Sequence, residues 1–174
     1  MKLSGVGLVL KRDLNKGGKI KQRSGDLLEL ARAGEFDLII HGCNCFCNMG
    51  AGIAKDIKQQ FPQAYAADLA TLSGDREKLG SYSQVLYQNG ECKVIIVNAY
   101  TQYNWRGKGV KADYAAIKNV FEKIACDFAG LRIAYPLIGA GLAGGDWNTI
   151  AAIIEQALRG QDHTLVVLPA RPAA

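Results

Sequence analysis

The stretch Phe36-Asp37-Leu38-Ile39-Ile40-His41-Gly42-Cys43-Asn44-Cys45-Phe46-Cys47-Asn48-Met49-Gly50-Ala51-Gly52-Ile53-Ala54 decides the fold. Phe36–His41 is apolar and β-branched, as a buried strand requires, and it runs into a loop rich in Gly, Asn and Cys. From Gly52 to Gln60 the period changes to a helical one. Ile53, Ile57 and Phe61 stand four apart on one face, and Pro62 marks the break.

The same succession recurs near the other end of the chain. Leu131–Ile138 predicts a strand, and Gly139-Ala140-Gly141-Leu142-Ala143-Gly144-Gly145 a second loop. Asp146 is placed to cap a final helix carrying Trp147, Ile150, Ile153, Ile154 and Leu158. Both loops leave the carboxyl ends of strands, where α/β sheets bind ligands. Glycine lets backbone N–H groups approach phosphate oxygens, and a helix N-terminus adds about half a positive charge. Two such loops can clamp a pyrophosphate. Neither fits G-x-G-x-x-G followed by an acid, nor G-x-x-x-x-G-K-[ST], so a Rossmann oxidoreductase and a P-loop NTPase are set aside.

The remaining segments complete an α/β rhythm. Lys19–Gln22 is a short strand, closed by Ser24-Gly25-Asp26. Tyr65, Leu69 and Leu72 continue at helical spacing beyond Pro62. Ser83–Gln88 and Glu91–Asn98 flank Asn89-Gly90, which predicts a hairpin with positive φ at both turn residues. A polar stretch, Gln102–Lys111, precedes a helix with Ile117, Val120, Phe121, Ile124 and Phe128 on one stripe. His163–Pro169 is the last strand. This alternation predicts a three-layer α/β/α domain with a mixed central sheet. One domain spans residues 1–174, with its core at about 19–169.

Composition narrows the function classes. With 49% hydrophobic and 21% charged residues, the chain is too apolar to be disordered. No apolar run reaches the ~20 residues of a membrane span. Met1–Leu10 lacks the apolar core and cleavage site of a signal peptide, so a cytoplasmic protein without membrane contact is expected. The net charge of +5 favours anionic partners and leaves direct nucleic-acid binding open. Five cysteines, an odd number, fit reduced thiols. Cys43-Asn44-Cys45-Phe46-Cys47 lacks zinc-module spacing, and His41 and His163 are the only imidazoles, so neither metal nor cofactor is expected.

Taken together, Ser24-Gly25-Asp26-Leu27, His41-Gly42-Cys43-Asn44, Met49–Ala54 and Pro136–Trp147 resemble the macro domain family, which binds ADP-ribose. The likeness is to the branch of ADP-ribose 1″-phosphate phosphatases and of deacylases that remove ADP-ribose from glutamate. It implies that Asp26 accepts from the adenine amino group with Leu27 beside it. Gly50, Ala51, Gly52 and Ile53 would surround the distal ribose and pyrophosphate, and Gly139, Ala140, Gly141 and Leu142 would form the second phosphate loop.

Asn44 sits where the family places an asparagine on the distal ribose. An amide suits that task because it both donates and accepts. Tyr100 ends a strand on the same rim and is available to pack on ribose or adenine. For the chemical step the resemblance offers His41 as general acid/base; Asp146 is available to orient water as well as to cap the helix, and Asn44 is a further candidate. Lys78 stands as a nucleophile on ribose C1″ in the deacylase branch. That branch carries an acid where this chain has Ala143. The expected function is hydrolysis of ADP-ribose 1″-phosphate to ADP-ribose and phosphate. The alternatives are removal of ester-linked ADP-ribose from protein or nucleic acid, and non-catalytic reading of ADP-ribose.

Overall fold

The computed structural model describes residues 19–169; the signal-peptide reading of Met1–Leu10 lies outside them. In chain order the elements are β1 (Lys21–Ser24), α1 (Leu27–Arg32), β2 (Leu38–Asn44), α2 (Gly52–Gln60) and α3 (Pro62–Leu69). A 3₁₀ turn at Arg76–Lys78 leads to β3 (Tyr82–Asn89), β4 (Cys92–Gln102), α4 (Tyr114–Asp127), β5 (Arg132–Tyr135), α5 (Trp147–Ala157) and β6 (Asp162–Val167). The strands form one sheet in the order β1-β6-β5-β2-β4-β3. Every neighbouring pair is parallel except β3 with β4, so the sheet is mixed.

Strand alternation divides the core in two. Leu38 and Ile40 of β2 face α4 and α5, packing with Ile117, Val120, Phe121, Ile124, Ile150 and Ile154. Ile39 faces the opposite layer, with Leu27, Leu28, Ile57, Phe61 and Ala64 from α1, α2 and α3. Each fully buried aliphatic or aromatic side chain contributes about 1.5–3 kcal/mol. β2 is therefore apolar on both faces, which explains its unbroken hydrophobic run.

Several details differ from the sequence expectation. β2 continues past His41 to Asn44 because β4 runs beside it, pairing Gly42 with Ala99 and Cys43 with Tyr100. β5 stops at Tyr135, where Pro136 has no N–H to offer and the chain turns with Ile138 N donating to Pro136 O. α1 is too short for periodicity to reveal; Asp26 caps it. Pro62 starts α3 in a new phase, so Ala64 and Asp68 are buried while Leu69 and Leu72 are exposed. At the hairpin only Gly90 has positive φ, and Asn89 pairs with Cys92 as the last strand residue. The turn is Gly90-Glu91 with glycine first, a II′ pattern, rather than Asn-Gly in type I′. No helix among the described residues is long and apolar enough to cross a membrane.

Candidate ligand cleft

α2 follows β2 onto one face of the sheet, and α5 follows the adjacent β5 onto the other. The two connecting loops must part at that point. Their divergence opens a cleft of about 790 Å³ over the strands' carboxyl ends, within the size range of small-molecule sites.

The first loop is tied down from several sides. Asn44 Oδ1 accepts from Phe46 N at 3.0 Å, and Asn44 Nδ2 donates to Asn48 O at 2.8 Å. Cys45 O accepts from Gly74 N and Lys78 Nζ, and Ser73 Oγ donates to Phe46 O. The loop delivers the chain into α2 with Ala51 as N-cap, and no side chain caps that helix or places an acid in its first turn. The first N–H groups of α2, on Gly52, Ile53 and Ala54, therefore have no intrahelical acceptor and line the cleft. Gly52 takes φ +56°, a conformation that glycine adopts without strain.

The second loop is closed on itself. Gly145 N donates to Gly139 O at 2.7 Å, and a Cβ on Gly145 would lie 2.7 Å from that same oxygen, so only glycine fits. Ala143 O accepts from Lys111 N and Ala112 N, which holds the β4–α4 connection against the loop. Among the described residues, the N–H groups of Gly141, Leu142 and Ala143 donate to no protein acceptor, and all three residues line the cleft. Two runs of free N–H donors thus lie on opposite walls.

Along its length the cleft crosses the ends of β1, β6, β5, β2 and β4. Five strands at about 4.8 Å spacing give it a span of ~19 Å. At the β1 end stand Asp26, Leu27, Leu28 and Val166–Leu168; at the β4 end stand Asn44, Thr101, Gln102, Trp105 and Lys111. Asp26 Oδ1 takes both capping bonds of α1, from Leu28 N and Glu29 N, and among the described residues Oδ2 has no donor. The cap and a ligand acceptor are thus compatible.

The profile of the Macro domain family matches residues 40–154. This chain belongs to the Macro domain family. An uncharacterised 17.5 kDa protein of Enterobacteria phage T4 is 35% identical over 142 residues, covering 78% of this chain and 88% of its own. An ADP-ribose 1″-phosphate phosphatase of Aspergillus oryzae is 46% identical over 48 residues, 28% of this chain and 22% of its own. The macrodomain of Mycobacterium tuberculosis DarG superposes with TM-score 0.68 at 23% identity, covering 88% of this chain and all of that one. Thermosipho africanus DarTG, solved in complex with ADP-ribose, gives 0.61 at 18% identity over 80% of this chain and 39% of its own.

Within this macro domain the cleft gathers Asp26, Leu27, Asn44, Gly50, Ala51, Gly52, Ile53, Gly139, Gly141 and Leu142. It does not gather Ala140, Tyr100, His41, Asp146 or Lys78. Parity along the strands explains two of these. His41 lies on the Ile39 face and donates from Nε2 to Asn98 Oδ1 at 2.7 Å, fully buried. Tyr100 lies on the Asn98 face and donates to Asp68 Oδ1, while its neighbour Thr101 reaches the cleft. Counting alternation through β4 would have selected Thr101. Asp146 is exposed and caps α5, accepting from Thr149 N and Oγ1, which hold its carboxyl below the usual range.

Lys78 is buried beneath the first loop. Its Nζ donates to Cys45 O at 3.1 Å, lies 3.3 Å from Cys47 Sγ and 3.9 Å from Asp68 Oδ1, and sits over the Tyr100 ring. Burial raises the Asp68 carboxyl, and its Oδ2 has no partner. All five cysteines are free, and burial pushes the Cys45 thiol up to about 11. Among the described residues no group of three His, Cys, Asp or Glu is placed to hold a metal ion.

Burial lowers the His41 pKa from 6.5 to about 4, against the opposing Asn98 hydrogen bond. The unfolded chain then takes up a proton that the folded chain refuses. The stability held by the neutral imidazole is complete above pH 6.5 and is lost as pH falls through 4, by ~3 kcal/mol. His41→Gln should flatten the acid side of the stability profile, read from urea midpoints at pH 7 and 4.5. Asp68, with the opposite sign, is common to both proteins. Parallel profiles would show that His41 is not buried neutral.

Proposed function

We propose that this macro domain binds ADP-ribose along the cleft, with adenine at Asp26, the pyrophosphate between the two loops and the distal ribose at Asn44. The observation that carries this reading is the facing pair of free N–H runs, Gly52–Ala54 and Gly141–Ala143, centred in a cleft that is apolar and acidic at one end and amide-rich at the other. Such donors suit a doubly charged pyrophosphate. Asp26 Oδ2 suits an exocyclic amine, and the second N–H of Asn44 Nδ2, which has no acceptor among the described residues, suits a sugar hydroxyl. The ADP-ribose held by the DarTG neighbour supports the same reading.

The reaction is hydrolysis of ADP-ribose 1″-phosphate, with the phosphoryl group passing to water. The Aspergillus oryzae relative supports this activity. With His41 enclosed in the core, the chemistry falls to groups at the β4 end of the cleft, of which Asn44 is the sequence candidate present. Phosphate release from ADP-ribose 1″-phosphate tests the activity; tight ADP-ribose binding without phosphate release would make the domain a reader.

Asp26→Asn separates adenine recognition from capping, because asparagine caps a helix as well as aspartate. Losing one charge-assisted bond should weaken ADP-ribose about ten- to hundredfold by calorimetry and leave ribose 5-phosphate unchanged. Equal losses for the two ligands would refute the adenine assignment.

A further inference from the structure

The β4–α4 connection brings a cation to the distal end of the cleft. Lys111 lines the cleft, as Trp105 does, and is half-buried. Among the described residues it is the only lysine or arginine in the lining, against two carboxylates, Asp26 and Asp56. No described carboxylate lies within ion-pair distance of its ammonium. The nearest acid in sequence, Asp113, is committed to Ala116 N at the start of α4.

The lysine is also held in place. Its backbone N donates to Ala143 O at 2.7 Å, fixing the connection to the second glycine loop. Its Nζ donates to Lys108 O at 2.8 Å, so the side chain arches inside its own loop. An ammonium has three N–H donors, and among the described residues two of these have no acceptor. The Lys108 O contact is solvent-exposed, so the remaining donors are open to an incoming anion. The connection carrying Lys111 is held between the second loop, through Ala143 O, and the β4 end, through Asp113 N donating to Thr101 O, and β4 stands beyond β2 and Asn44 in the sheet order.

We propose that Lys111 is a specificity-determining residue for a second anionic group on the distal ribose, a phosphoester, and that it discriminates such ligands from uncharged ribose conjugates. This rests on the ADP-ribose reading of the cleft. The ammonium meets a phosphate dianion with one or two charge-assisted hydrogen bonds, whereas a ribose hydroxyl or a neutral ester offers it a far weaker partner. Trp105, also in the cleft lining, is packed edge-on against Phe46 with ring centroids 5.9 Å apart.

The test compares two probes on the full chain: ADP-ribose, and its 1″-methylenephosphonate, which cannot lose phosphate. Calorimetry would be run on the wild type, Lys111→Gln and Lys111→Arg. The wild type should bind the phosphonate more tightly than ADP-ribose. Lys111→Gln should weaken the phosphonate about ten- to hundredfold and ADP-ribose far less; Lys111→Arg should restore most of the preference. Equal losses for both probes in Lys111→Gln, or a wild type without preference, would overturn the proposal while leaving ADP-ribose binding intact. A wild type that binds neither probe would overturn both.

Discussion

Gly141→Glu should abolish ADP-ribose binding while leaving the fold intact. Gly141 lines the cleft, its φ is not positive, and a Cβ built there meets no atom within 4 Å. The new side chain therefore enters free space rather than the core. A carboxylate there stands in the anion's path beside the free N–H groups of Leu142 and Ala143. At about 5 Å and an effective dielectric of 20, each pair of like charges costs ~3 kcal/mol. Affinity by calorimetry should fall more than about a hundredfold, with Tm within a few degrees of wild type. Gly52→Glu is a poorer probe, because φ +56° adds backbone strain to any loss. Unchanged affinity in folded Gly141→Glu would remove the second loop from the site.

Lys78→Met should act on stability. The ammonium ties Cys45 O, Cys47 Sγ and Asp68 together beneath the first loop, with its side chain 7% exposed. Breaking a buried ion pair costs ~3–5 kcal/mol, and the 3.9 Å separation from Asp68 puts this pair at the low end. A loss of about 3 kcal/mol lowers Tm by ~6–12 °C in a domain of this size. Adding Asp68→Asn should recover part of that loss, since it removes the carboxyl left behind. Reduction in the presence of ADP-ribose conjugates should leave no ADP-ribose on the wild-type lysine. An unchanged Tm together with a trapped Lys78 adduct would reverse this assignment and restore the lysine as a nucleophile.

The fold was legible in the sequence where apolar period and glycine punctuation agreed. The run Leu38–Ile40 could be buried on both faces only in a covered parallel sheet, and the α4 stripe could face only one layer. Both glycine loops were legible because glycine at Gly52 and Gly145 answers a local geometric need. At the site, standing at a strand end did not fix the face a side chain takes; alternation along the strand did. His41 and Tyr100 stand one residue from Gly42 and Thr101, and that single step moves a side chain from the cleft to the opposite layer. Lys78 is placed as a nucleophile by resemblance alone, and nothing in the Arg76–Lys78 stretch signals that the loop above it holds an ammonium against Cys45 O. Lys111 lay in a polar stretch with no period; the bonds of Lys111 N and Ala112 N to Ala143 O and of Asp113 N to Thr101 O hold its connection at the cleft.

In the proposed arrangement one nucleotide lies along the cleft across five strand ends. Amide-resolved NMR during titration of the wild-type chain with ADP-ribose tests it most directly. Saturable shifts are expected at Leu27, at Gly52 and Ile53, at Gly141 and Leu142, and at Thr101, with one common affinity, while the Asn89–Glu91 turn at the far end of β3 stays still. Shifts confined to one loop, a saturable set elsewhere on the surface, or none at all would contradict it.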